Sequence, residues 1–89
     1  MKQIKLTGRE RAVLRSLDFT TGNTGEELQN HTRIEPEDLV DIINGLMEVG
    51  YMEVAPYAEK TSLETYAASM FEVNPSYAQQ LRAATARSF

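Results

Sequence analysis

Cysteine is absent from this chain, and so is tryptophan. Without cysteine there is neither a disulfide nor a thiolate ligand for a metal, so 89 residues must hold together on packing alone. A chain of that length buries only about 60–65% of its unfolded surface and supports one thin-cored domain, residues 1–89. No apolar run nears the roughly 18 residues of a membrane span. The opening Met1–Gly8 carries lysines but no apolar segment of a secretion signal, so a cytoplasmic location is expected. Histidine occurs once, at His31. One histidine and scattered carboxylates assemble neither a catalytic triad nor a metal site, so no enzyme activity, metal, other cofactor or membrane partner is expected.

Positive charge is the next scarcity. Nine Lys and Arg face thirteen Asp and Glu, a net −4. The imbalance is local: residues 16–72 hold twelve acidic residues against Arg33 and Lys60, a net −10, while residues 1–15 are at +4 and residues 73–89 at +2. A general polyanion binder carries a basic face, and the middle of this chain cannot supply one.

What is present reads as helices punctuated by caps. Thr7-Gly8-Arg9-Glu10 and Thr24-Gly25-Glu26-Glu27 are both capping boxes, in which the threonine hydroxyl and the glutamate three residues on each satisfy a backbone N–H. They predict helices over 8–18 and 24–31. Pro36 at a first helical position, Glu37 and Asp38 in the first turn, and the stripe Leu39, Ile42, Ile43, Leu46 and Met47 predict a helix over 36–49, ended by a left-handed Gly50. The β-prone alternation Tyr51–Ala55, stopped by Pro56, predicts a strand. Leu63, Tyr66, Ala67, Met70 and Phe71 fit a helical face, yet Tyr66–Val73 equally fits a strand returning against 51–55, and periodicity leaves both open. Asn74-Pro75 starts a last helix over 75–87. The expected core is Val13, Leu14, Leu17, Leu28, Ile34, Leu39, Ile42, Ile43, Leu46, Val54 and Phe71. The tyrosines 51, 57, 66 and 77 are expected between strands and helices, hydroxyls at the edge. Gly22-Asn23-Thr24-Gly25 matches a phosphate-cradling loop only in its glycine spacing, and turn chemistry accounts for it.

Glu27-Leu28, Thr32, Ile34, Leu39, Ile42-Ile43, Leu46 and Gly50-Tyr51 together resemble the core signature of the winged helix-turn-helix, and Phe71-Glu72-Val73-Asn74-Pro75 resembles the strand-to-helix exit of the multidrug-resistance-regulator-like (MarR-like) group. The resemblance implies an α+β, mainly α domain with a three-helix core, a β-hairpin wing and a C-terminal helix. It favours a strand for 65–73, and a short first strand near Ile4–Leu6 completes the expected sheet. It also implies a transcription regulator that binds double-stranded DNA with its third helix in the major groove.

The third helix complicates that function. Its outer face carries Glu37, Asp38, Asp41, Asn44, Gly45 and Glu48, and no Lys or Arg lies between Ile34 and Glu59. A carboxylate about 7 Å from a phosphate costs roughly 0.6 kcal/mol even in water. One acid can accept from a cytosine amino group; four are hard to place. The candidate phosphate contacts are therefore Lys2, Lys5, Arg9, Arg11, Arg15, Arg33 and Lys60, against the plainer reading that they balance the acidic middle. The expected function is a DNA-binding regulator with an atypically acidic third helix; the alternative is a protein–protein interaction module that offers Glu37, Asp38, Asp41, Asn44 and Glu48 to a basic protein partner. A homodimer is also expected, with Tyr77, Leu81, Ala84 and Phe89 as contacts, against the alternative that the last helix merely closes the monomer's core.

Overall fold

The computed structural model describes residues 4–86. The chain runs α1 (Gly8–Ser16), β1 (Asn23–Thr24), α2 (Gly25–Thr32), α3 (Pro36–Glu48), β2 (Met52–Ala55), a 3-10 turn (Tyr66–Ala68), β3 (Met70–Val73) and a second 3-10 turn (Pro75–Tyr77) leading into α4 (Ala78–Ala86). Both capping boxes form. The Glu10 N–H donates to the Thr7 hydroxyl at 3.1 Å and the Thr7 N–H to the Glu10 carboxylate at 2.8 Å. Thr24 and Glu27 repeat the exchange at 3.1 and 2.9 Å. The third helix ends as expected, Val49 capping it and Gly50 following at φ +90°.

The sheet is antiparallel in the order β1-β3-β2. The strand expected near Ile4–Leu6 does not form. Ile4 and Leu6 lie half-buried against the core, and the edge of β3 opposite β2 is taken by Asn23 and Thr24, paired with Phe71 and Met70. Two glycines permit this close seam. Gly22 sits at φ +77°, where a Cβ would stand 2.6 Å from the Phe71 carbonyl oxygen, and a Cβ on Gly25 would stand 2.0 Å from that of Tyr66. The glycine spacing thus serves backbone approach.

The ambiguous stretch resolves into both alternatives in succession. Met70–Val73 is the returning strand, whereas Tyr66–Ala68 coils into the 3-10 turn. The Tyr66 side chain explains the coil: it is drawn into the core, and its hydroxyl donates to Gln29 Oε1 at 3.0 Å.

Ten of the eleven expected core residues are buried. The exception is Ile42, half-buried because the helix is turned to bury Val40 beside Leu39, Ile43 and Leu46. Met52, Tyr66, Val73, Leu81 and Ala84 complete the interior. The last two correct the expected dimer surface. Leu81 is 0% and Ala84 4% exposed, buried within the chain itself, so α4 closes this domain's own core. Tyr77 keeps 37% exposure, its ring edge-on to Tyr51 at 5.1 Å. Phe89 lies outside the described residues. The last α-helix is also shorter than expected, starting at Ala78 after the 3-10 turn.

Candidate functional site

Pro36, Glu37 and Asp38 start α3, and its apolar stripe fixes which side meets the core. The opposite side exposes Glu37, Asp38, Asp41, Gly45 and Glu48. Asn44 departs from expectation. It is half-buried and employed structurally: its amide donates to the Thr61 carbonyl at 3.1 Å, and the Thr61 N–H donates to its Oδ1 at 2.8 Å. This pair clasps the segment after β2 against the third helix. Of the four exposed acids, Asp38 has a cationic partner among the described residues. Arg9 Nη1 lies 3.1 Å from Asp38 Oδ2, both side chains more than half exposed, so the contact is worth at most about 1 kcal/mol.

The candidate phosphate contacts are dispersed in role. Lys5, Arg33 and Lys60 are exposed and Arg11 is half-buried. Arg15 Nε donates to the Thr85 carbonyl at 2.6 Å, tying α1 to α4. Arg33 holds a left-handed conformation, φ 58°, at the end of α2. Lys2 lies outside the described residues. Arg82, on α4, stands 5.1 Å over the ring of Phe19.

The structure also assembles a feature that the sequence reading missed. A groove of about 800 Å³ runs between the C-terminal half of α3, strand β2 and residues 57–60. Its walls include Met47, Met52 and Val54, and Glu48, Glu53 and Glu59 line it with a single cation, Lys60. Tyr57 also lines it and is 84% exposed, not packed between strand and helices as expected. Strand alternation places Glu53 outward between buried Met52 and Val54. Glu59 carries no such signal, because a polar loop residue looks the same whether or not it faces a groove.

Two carboxyls are held below their ordinary range. The backbone N–H groups of Thr20 and Thr21 do this to Asp18, and the Thr24 N–H with the Asn23 amide does it to Glu27. Asp18 lies in the α1–α2 connection and Glu27 in the first turn of α2, and neither lines the groove. Among the described residues no three His, Asp or Glu come together to hold a metal ion. No helix among them is long and apolar enough to cross a membrane.

No family model and no curated protein matches the chain. Among solved structures it is similar to the multiple antibiotic-resistance repressor MarR of Listeria monocytogenes 4b F2365, with a TM-score of 0.72 at 14% identity over 93% of this chain. The fold is a MarR-like winged helix. The chain spans about half the length of that repressor, 53%. In winged-helix terms α3 is the third helix, and β2, β3 and the segment joining them form the wing. The groove lies between these two parts, and its carboxylates favour cationic chemistry.

Proposed function

We propose that this chain is a winged-helix interaction module, taking a basic protein partner on the face formed by its third helix and wing. The observation that carries this reading is the charge of that face. Glu37, Asp41 and Glu48 are exposed with no ion pair among the described residues, Glu53 and Glu59 continue the acidity along the groove, and α3 has no cation of its own. Affinity for duplex DNA comes largely from counterion release by Lys and Arg, of which this face offers Lys60 alone among the residues lining the groove. A field of one sign speeds and orients encounter with a partner of the other.

The second reading is a DNA-binding transcription regulator, favoured by the likeness to a repressor. One titration separates the two. At about 50 mM salt, a lysine-rich polypeptide should bind with a negative slope of log affinity against log salt, and a mixed-sequence duplex should not bind. The triple substitution Glu37→Gln, Asp41→Gln, Glu48→Gln should weaken the polypeptide about tenfold, a loss of roughly 1.4 kcal/mol over three charges. Duplex binding that survives this substitution and falls steeply with salt would establish the regulator instead.

A further inference from the structure

Strand β2 is an edge of the sheet, with β3 on one side and the groove on the other. The register decides which main-chain groups face the groove. The Asn74 N–H donates to the Tyr51 carbonyl at 2.9 Å. In an antiparallel ladder, hydrogen-bonded and non-bonded pairs alternate. The pairs Glu53·Glu72 and Ala55·Met70 therefore exchange both bonds, and Met52·Val73 and Val54·Phe71 exchange none. The N–H and C=O of Met52 and Val54 thus turn away from β3. No described residue donates to or accepts from them, and both residues line the groove, through which what exposure they keep is small, 2% for Met52 and 8% for Val54. Main-chain groups so placed, at the floor of a groove, are a template for a further strand.

We propose that the groove takes an extended basic segment of the partner protein by strand addition to the outer edge of β2; this rests on the basic-partner reading above and names how that partner is held. Met52–Ala55 offers four residues, about 13 Å of strand at roughly 3.3 Å per residue. The groove's volume lies within the range of about 300–1,000 Å³ typical of ligand clefts. Glu48, Glu53 and Glu59 outnumber Lys60 in it, so an acidic or neutral strand is disfavoured and a basic one drawn in. Successive side chains of an added strand point to opposite sides. Lys or Arg alternating with apolar residues would therefore set cations toward the carboxylates and apolar groups against Met47 and Tyr57. Main-chain bonds supply affinity in this mode, and the alternating side chains supply selectivity.

The test uses the whole chain and three synthetic hexapeptides: Lys-Val-Arg-Val-Lys-Val, the same peptide N-methylated at alternate residues, and its glutamate counterpart. The first should bind, the second about tenfold more weakly for lack of main-chain donors, and the third not at all. Amide exchange gives an internal control. The Met52 and Val54 amides should slow at least tenfold on binding, while those of Glu53 and Ala55, already paired, should not change. The variant Glu48→Gln, Glu53→Gln, Glu59→Gln should lose about tenfold in affinity with its thermal melt unchanged. Equal binding of the methylated peptide, or unprotected Met52 and Val54 amides, would overturn strand addition while leaving the acidic-face reading in place. Lysine-rich polypeptide binding without hexapeptide binding would do the same. If neither the polypeptide nor the hexapeptides bind, both readings fall together.

Discussion

The flank built from α1 and α4 and the flank built from α3 and the wing use charge in opposite ways. On the first, cations are tied into the chain: Arg15 holds the Thr85 carbonyl, Arg82 covers Phe19, and Arg9 reaches across to Asp38. On the second, the carboxylates of Glu37, Asp41, Glu48, Glu53 and Glu59 make no hydrogen bond or ion pair with any described residue. A charge engaged within the fold is less available to a ligand than one left in solvent. A net of +4 over residues 1–15 therefore overstates how much positive charge that segment presents, whereas the acidity of the middle is presented almost undiminished.

The comparison breaks most visibly at α4. Leu81→Ala should lower stability by about 3 kcal/mol, read as a fall in urea midpoint at constant slope. A near-neutral result would remove α4 from the core and return Leu81 to an intermolecular role. Gly25→Ala, at the seam with Tyr66, should cost about 2 kcal/mol. The wild-type melt retained there would show that the Tyr66 backbone yields easily. On the acidic flank, Asn44→Ala removes both bonds to Thr61 and should cost about 1.5 kcal/mol. It should also speed proteolysis within residues 57–60, and an unchanged cleavage rate would mean that something else holds the wing. The smallest effect is with pH. Asp18 and Glu27 have folded values below their ordinary 3.8 and 4.5. Their contribution is present above those ordinary values and is lost as the pH falls through the lower folded ones. Acid titration of the double variant Asp18→Asn, Glu27→Gln should show a shallower loss of stability below about pH 4.5 than the parent.

Where local chemistry decides the structure, the residues declare it. Thr7 with Glu10, Thr24 with Glu27, Pro36 and Gly50 place helix ends to within a few residues, because caps and prolines act over one turn of chain. The core stripe is legible for the same reason, save for the rotation that exchanges Ile42 for Val40. What escapes the sequence is long-range. Asn44 reads as an outward polar residue of α3 until Thr61, seventeen residues on, is brought beside it. Asn23 and Thr24 are too short a run, between two glycines, to read as a strand; they become one because β3 has an edge to fill and the glycines let the chain near it. Leu81 and Ala84 present the same spacing whether the apolar surface they meet is their own or a second chain's. The acidic face of α3 was legible in composition, and the groove was not, since it depends on where residues 57–60 come to lie.

The clasp between Asn44 and Thr61 also bears on how such a wing changes over generations. Residues 56–60 are bracketed by two fixed points, the ladder that ends at Ala55 with Met70 and the clasp at Thr61. Ring closure between fixed ends depends only logarithmically on length, so doubling these five residues costs about 0.6 kcal/mol. Insertions there leave the register of β2 and β3 and the position of α3 as they are. The tip of the wing is thus free to diversify in length and sequence, and with it one wall of the groove, while the helices that carry the fold stay under the constraint of their own packing.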